Sequence, residues 1–138
     1  MSIQEQPARA LMSPTLVTIE SRETLRRAAR MMIEHHVHCL VVPPPAPGRL
    51  VGILTVKDVV QVLCEGESAL LDQLRVEDAA TWPAFGVQAD QRVGDCIRLM
   101  RMAGVRSVPV LEGVGPVGIL SYTDVLRAVA REGSGSPG

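Results

Sequence analysis

The feature that most constrains this chain is a pattern that it contains twice. GILTVKDVV, Gly52 to Val60, returns sixty-six residues later as GILSYTDVL, Gly118 to Leu126. Each version places a hydroxyl residue after Gly-Ile-Leu and an Asp three positions beyond it. Upstream, residues 25–42 align with residues 93–110 at an offset of sixty-eight. The offset changes inside a Pro/Gly-rich connection, where insertions are best tolerated. The sequence therefore predicts two copies of one structural unit.

Each copy predicts the same order of elements, which is strand, helix, strand, strand, helix. The stretches LVTI and FGV are strand-like openings. Apolar residues at spacings of three and four then predict an amphipathic helix, with Ser21 and Asp90 as N-cap candidates. Gly104 is expected to end that helix in the second copy, and His36 occupies the matching place in the first. The β-branched runs VHCLVV and VRSVPV, a turn and a second strand follow. The last helix runs through VVQVLCEG or VLRAVAREG.

These elements predict an α+β (α/β-type) fold built from two tandem βαββα units. The first unit is expected at residues 9–66 and the second at residues 76–131. Residues 67–75 are the predicted linker, within the helix-like stretch ESALLDQLRVEDAATWP. Residues 132–138 are predicted to be a flexible C-terminal tail, because the closing GSGSPG has nothing to bury.

Composition narrows the class of protein. With 138 residues, 46% of them hydrophobic and 21% charged, the chain has the profile of a globular protein with a core. A net charge of −1 argues against nonspecific nucleic-acid binding, so a nucleic-acid partner is unlikely. The N-terminus does not have the pattern of a signal peptide, and no stretch is apolar enough to span a membrane. Cys39, Cys64 and Cys96 are predicted to be buried free thiols, and we expect a cytoplasmic location.

The sequence offers little that points to catalysis or metal binding. It contains no nucleophile–base pair, glycine-rich phosphate loop or HExxH motif, so the chain is predicted not to be an enzyme. His35, His36 and His38 suggest a metal site, but a helix passes into a strand here and the three side chains cannot all point one way. No further ligand completes a zinc spacing, and we expect no metal.

The hydroxyl-x-x-Asp pattern has two interpretations, and the sequence leaves both open. Ser or Thr followed three residues later by an acid is a capping box, although Glu suits that reach better than Asp. Alternatively, a short carboxylate at a helix start can accept hydrogen bonds from the two hydroxyls of a ribose. The free amides and the positive end of the helix dipole would then favour a phosphate nearby.

Taken together, the two GIL-[TS]-x-x-D stretches, the GVRSVPV run and the repeated βαββα order resemble a tandem pair of CBS domains, or Bateman module, over about residues 9–131. The resemblance implies two units packed about a pseudo-two-fold axis, with two clefts that bind AMP, ADP, ATP or S-adenosylmethionine. It also implies a homodimer that regulates a partner protein. The alternatives are a ligand-free dimerisation scaffold and, less favoured, a nucleic-acid-binding CBS protein.

The resemblance also implies roles for individual residues. Asp58 and Asp124 would bind the ribose, with Thr55 and Ser121 near the phosphates. The base would be lined in the first cleft by Val17, Val37, His38 and Cys39, and in the second by Phe85, Val105, Arg106 and Ser107. Lys57 is a further candidate for phosphate contact, against the alternative of a solvated lysine.

The aromatic residues predict that the two clefts are inequivalent. Trp82, Phe85 and Tyr122 all fall in the second copy, at or near its predicted cleft. There they would stack an adenine, which is worth about 1–3 kcal/mol per base, or fill the cleft and keep it empty. Ordinary filling of the core is the third interpretation.

Overall fold

The computed structural model describes residues 1–82, 84–113 and 115–134, with side chains as far as residue 132. Its helices and strands follow the predicted order except that the opening strand of the first copy is missing, and short extra helices lie before and at the start of each copy. They are α1 (Ala8–Leu11), α2 (Leu25–His35), β1 (Cys39–Val42), β2 (Gly52–Thr55), α3 (Val56–Gln61), α4 (Leu70–Gln73), α5 (Val76–Ala79), β3 (Val87–Gln88), α6 (Val93–Ala103), β4 (Ser107–Glu112), β5 (Gly115–Ser121) and α7 (Tyr122–Ser134). Single 3₁₀ turns lie at Ile3–Glu5 and Val62–Cys64.

The chain divides into two compact units. One, here called the first-copy unit, is Val17–Ala84, and the other, the second-copy unit, combines Met1–Leu16 with Phe85–Gly138. This grouping differs from the order of the repeats along the sequence, because the residues that open the chain belong to the unit built mainly from the second copy.

In the first-copy unit, β1 and β2 form an antiparallel hairpin, with Cys39 opposite Thr55 and Val42 opposite Gly52. The predicted opening strand LVTI is reduced to one parallel bridge between Thr18 and Val41. Helix α2 places its apolar face on this hairpin, as its spacing predicts. The core of the unit includes Leu25, Ala28, Met32, Leu40, Val42, Leu54, Val59 and Val76.

The second-copy unit contains a three-stranded sheet in the order β3-β4-β5. Strand β3 runs parallel to β4, and β4 runs antiparallel to β5 with an irregularity between Val110 and Leu111. Helix α6 packs on this sheet through the face that the sequence predicts. The core includes Ala8, Val87, Cys96, Met100, Val108, Val110 and Leu120.

The ends of α2 and α6 confirm one prediction and correct another. His36 (φ 55°) and Gly104 (φ 71°) both adopt the left-handed conformation that ends the helix. The N-caps, however, are Thr24 and Arg92, so the predictions for Ser21 and Asp90 are wrong. Thr24 accepts from the Arg27 amide at 3.1 Å, whereas Arg92 makes no side-chain cap.

The segment at the start of each copy packs in the unit of the other copy, and the two exchanges match residue for residue. In the second-copy unit, the amides of Ala8 and Val93 donate to the carbonyls of Gln91 and Gln6, both at 2.8 Å. The first-copy unit repeats both bonds, and each residue in them is shifted by sixty-eight positions from its equivalent. There Val76 donates to Glu23 at 2.8 Å and Leu25 donates to Leu74 at 3.0 Å. The duplication therefore extends to helices α1 and α5.

Two further expectations need correction or a limit. Cys39 and Cys96 are buried and outside any disulfide, as predicted, but Cys64 is exposed at the end of the 3₁₀ turn. Helix α7 continues to Ser134, into the predicted tail, and residues 135–138 lie outside the described residues. Among the described residues, no helix combines the length and apolarity that crossing a bilayer would require.

Candidate functional site

The first hydroxyl-x-x-Asp stretch lies where β2 passes into α3. The Thr55 amide and hydroxyl both donate to Oδ2 of Asp58, at 2.8 and 2.9 Å. The Asp58 amide donates in return to Oγ1 of Thr55 at 3.2 Å. This reciprocal pair of bonds is a capping box, so the capping interpretation is confirmed here.

The second stretch reproduces this geometry where β5 passes into α7. The Ser121 amide and hydroxyl donate to Oδ2 of Asp124, both at 2.9 Å, and the Asp124 amide donates to the Ser121 hydroxyl at 3.2 Å. A carboxylate held in this way is fixed in one rotamer, with Oδ2 occupied and Oδ1 directed elsewhere. The cap positions the acid and leaves it acceptor capacity, because a carboxylate has about four lone-pair sites.

The two copies differ at Oδ1. The Asp124 side chain is 9% exposed, and its Oδ1 lies 3.4 Å from Nη1 of Arg127, one turn further along α7. In Asp58, by contrast, the hydrogen bonds that the carboxylate accepts from described residues both go to Oδ2, from the amide and hydroxyl of Thr55. The two carboxylates therefore differ in the contacts of Oδ1.

The predicted base-lining segments lie directly beside these carboxylates. The His38 carbonyl accepts from the amide of Val56, the first residue of α3, at 3.0 Å. In the second copy, the Arg106 carbonyl accepts from the amide of Tyr122 at the same distance. Cys39 is paired with Thr55 and Ser107 with Ser121 across the two hairpins. The fold thus gathers these predicted residues at the helix-bearing end of each hairpin.

Other predicted residues are placed less tightly. Val37 and Val105 lie just ahead of these segments and donate their amides to the ends of α2 and α6. The Val17 carbonyl accepts from the Val41 amide at 3.0 Å, which puts it beside β1. Phe85 is half-buried against the core of the second-copy unit, and Lys57 is exposed in the first turn of α3.

The aromatic residues do not all collect at the second site. Trp82 packs against the core of the first-copy unit, and its ring covers the backbone of Gly52 so closely that a Cβ there would lie 2.8 Å from it. The prediction that placed Trp82 at the second site is therefore wrong. Tyr122 is the first residue of α7 and directly follows Ser121 in the sequence, and it is 39% exposed.

An open cavity of about 760 Å³ in the second-copy unit contains Asp124 and several residues that the sequence did not suggest. The N-terminal segment supplies Met12 and Ser13, and α7 supplies Arg127 and Arg131. The signal that could have revealed this is Gly118, a glycine inside a strand, which often marks close approach of another backbone. A Cβ at Gly118 would lie 2.7 Å from the Ser13 carbonyl oxygen.

Neither the histidines nor the cysteines form a second centre. Among the described residues, no group of three or more His, Cys, Asp or Glu side chains is arranged to hold a metal ion. Burial, helped by the neighbouring Asp95, raises the pKa of the Cys96 thiol to about 11. At neutral pH Cys96 is therefore a protonated core residue rather than a reactive thiolate.

Comparison with solved structures gives the same fold. The chain superposes on a hexameric CBS-CP12 protein from bloom-forming cyanobacteria with a TM-score of 0.81 and 29% identity, over 87% of this chain and 66% of that one. The CBS domain pair of protein MJ0100, solved with 5′-methylthioadenosine and S-adenosyl-L-methionine, gives a TM-score of 0.79 at 23% identity, over 92% and 98% of the two chains.

Comparison of sequences identifies the family. An uncharacterised 17.7 kDa protein of Acidianus ambivalens is 32% identical over 112 residues, covering 80% of this chain and 65% of that protein. The chain spans between 54% and 65% of the length of three curated relatives that it matches. The family model for the CBS domain matches residues 8–65 and again residues 76–131. With both copies matched and the fold shared, the chain belongs to the CBS domain family as a tandem pair.

Proposed function

We propose that this chain is a regulatory module that binds an adenosine-containing ligand, namely AMP, ADP, ATP or S-adenosylmethionine, and transmits its presence to a partner protein. The observation that carries the proposal is the duplicated carboxylate at the start of α3 and α7. In each copy the carboxylate is held rigidly through Oδ2. Oδ1 is available for a ligand in Asp58, and in Asp124 it has one weak contact, with Arg127.

The chemistry of a ribose fits this arrangement. Two neighbouring hydroxyls on a sugar donate two hydrogen bonds, and hydrogen bonds to a charged acceptor are stronger than neutral ones. Holding the carboxylate in one rotamer before the ligand arrives lowers the entropy lost on binding. Residues 38–39 and 106–107 are joined to the starts of α3 and α7 by hydrogen bonds and strand pairing, and in our proposal their backbone contacts the adjoining base.

Support from the relatives is limited to the fold and the ligand class. The MJ0100 domain pair holds two adenosine-containing compounds, so a fold of this kind accommodates such ligands. We extend that ligand class to this chain on the basis of Asp58 and Asp124. The role remains regulatory rather than catalytic in our proposal, and the cytoplasmic location remains a prediction from the sequence.

Replacing both aspartates with glutamate separates the proposed function from capping. Glu is the preferred partner in a capping box, so Asp58→Glu with Asp124→Glu should leave the melting temperature of the ligand-free protein within a few degrees of wild type. The longer side chain displaces the ribose-facing oxygen by one methylene. We therefore expect calorimetric affinity for the best of AMP, ADP, ATP and S-adenosylmethionine to fall at least about tenfold.

The wild-type protein provides the reference. A ligand at a hundredfold excess over its Kd stabilises a protein by about 2.7 kcal/mol, which a thermal melt detects. If none of the four compounds raises the wild-type melting temperature, the chain is a ligand-free scaffold and the proposal is wrong. The proposal is equally wrong if the double glutamate variant binds as tightly as wild type.

We further propose that the chain pairs with a second copy of itself through exposed apolar stripes on α3 and its 3₁₀ extension, and on α7. The α3 stripe is Val56, Val60 and Leu63, which are 39%, 55% and 49% exposed. The α7 stripe occupies the equivalent positions and is Tyr122, Leu126 and Val129, at 39%, 66% and 52%. Because a two-fold dimer requires a surface that matches itself, two like stripes on one chain suit a second copy.

A further inference from the structure

We infer that the two sites differ in the ligand chemistry that they accept, the second binding adenosine compounds well only when they carry a phosphate. Arg127 is the residue that sets this preference. The inference rests on the proposed function, since it concerns the same two carboxylates. It goes beyond that function by assigning a different ligand class to each site and naming the residue responsible.

The geometry around Asp124 supplies the first step. Nη1 of Arg127 is 3.4 Å from Oδ1 of Asp124, while Oδ2 already accepts two hydrogen bonds from Ser121. With Oδ2 occupied and one contact already on Oδ1, a ribose that donates both of its hydroxyls to Oδ1 must displace the guanidinium. A nucleoside without phosphate gains its sugar contacts only by breaking this ion pair, and it offers Arg127 nothing in return.

The ion pair is weak enough to be exchanged. The Arg127 side chain is 62% exposed, so water competes for its guanidinium, and the 3.4 Å contact is longer than a strong charge-assisted hydrogen bond. A phosphate, in contrast, can take two parallel hydrogen bonds from a guanidinium, which makes arginine well suited to it. Arg127 lines the same open cavity as Asp124, so a phosphate attached to the bound sugar lies within its reach.

The first copy lacks this device. Position 61, which is equivalent to position 127, is Gln61, the last residue of α3. Beyond it the chain turns into a 3₁₀ turn, whereas α7 continues for several residues past Arg127. Lys57 is adjacent to Asp58 in sequence, and neighbouring side chains on a helix diverge by about 100°, so it does not replace an arginine on the same face. Oδ1 of Asp58 accepts a ribose without prior exchange.

Single-site proteins test the inference directly. Asp58→Glu weakens the first site at least about tenfold and gives the second-site protein, in which the second site dominates binding. Asp124→Glu gives the first-site protein in the same way. For each, calorimetry at one fixed low salt concentration gives the Kd of adenosine and of AMP. We expect the second-site protein to prefer AMP by at least about tenfold, and the first-site protein to show a markedly smaller preference.

Substitution at the two equivalent positions then assigns the preference to Arg127. In the second-site protein, Arg127→Gln should weaken AMP about tenfold while adenosine binds as well as before or better, because its competitor for Oδ1 is gone. In the first-site protein, Gln61→Arg should increase the preference for AMP. Arg98→Gln is the control for loss of one positive charge, since Arg98 also pairs with an acid three residues earlier, Asp95, at 3.2 Å on α6, and should change neither affinity.

The outcomes distinguish this inference from the function on which it rests. If adenosine and AMP bind but Arg127→Gln leaves their affinity ratio unchanged, or if both single-site proteins prefer AMP equally, the inference is wrong and the proposed function stands. If Arg98→Gln weakens AMP as much as Arg127→Gln does, the effect is one of overall charge and the inference is also wrong. If the wild-type protein binds neither compound, both fail.

Discussion

At the scale of single residues, comparing position 36 with its equivalent in the second copy shows a conformational free-energy cost at the end of one helix. The two helices α2 and α6 end alike, but the left-handed residue is His36 in one and Gly104 in the other. A residue with a Cβ pays about 1–2 kcal/mol for that conformation, and Gly does not. The sequence predicted this difference correctly, because a helix end of this type depends on a few neighbouring residues and little else.

We expect His36→Gly to stabilise the protein. The gain from relieving the left-handed conformation exceeds the extra entropy of Gly in the unfolded chain, leaving about 0.5–1 kcal/mol, or a rise of about 2–4 °C in melting temperature. His35→Gly is the control of opposite sign, because His35 is still helical and Gly should destabilise the protein there by a few tenths of a kcal/mol. Equal effects from both substitutions would show that backbone conformation does not decide the outcome.

Residues whose state depends on distant parts of the chain were harder to predict. Ser21 looked like an N-cap, but it is buried and its carbonyl holds the amide of Glu77, while Thr24 takes the capping role. Cys64 has apolar neighbours in sequence, yet it lies on an exposed turn. For the N-cap, the local signal was correct in kind and Thr24 supplies the cap, whereas for Cys64 tertiary packing left the thiol outside the core.

At the scale of elements, the strands, hairpins and main helices follow from the sequence because a period of two or of 3.6 fixes which side chains face the core. The exchange of α1 and α5 between the copies does not follow. A duplicated sequence carries the same local pattern whether a segment packs on its own copy or on the other one. This ambiguity explains why Trp82 was placed at the wrong site and Met12 was missed.

The close packing of the exchanged segments gives a prediction for strand β5. A Cβ at Gly118 would lie 2.6 Å from Sδ of Met12 and 2.7 Å from the Ser13 carbonyl oxygen. We therefore expect Gly118→Ala to reduce the free energy of unfolding by about 1–3 kcal/mol in chemical denaturation. Gly115→Ala, in the same strand, is the control, because its nearest neighbour would be at 3.8 Å and no loss is expected. If Gly118→Ala left the free energy of unfolding unchanged, the N-terminal segment at Met12 and Ser13 would have to move aside at little cost, and the prediction would be wrong.

At the scale of the whole molecule, the proposed pairing with a second copy predicts a change in mass. Val60→Glu together with Leu126→Glu places a charge in each stripe, and burying an unpaired charge is costly, so the double variant should be monomeric by light scattering after size exclusion. Ile33→Glu is the matched control. Ile33 is 76% exposed on α2, outside both stripes, and its substitution should leave the dimer intact. A monomeric wild type, or a double variant that remains dimeric, would contradict the pairing.

The exchange of helices α1 and α5 also bears on how such a chain arose. Each unit is completed by a piece that the opposite half of the gene encodes, so a fragment holding one repeat would lack the cover for its own sheet. A lone ancestral repeat would have borrowed that cover from another molecule by domain swapping. Fusing two such genes would have turned a partnership between separate molecules, governed by their concentration, into a permanent one.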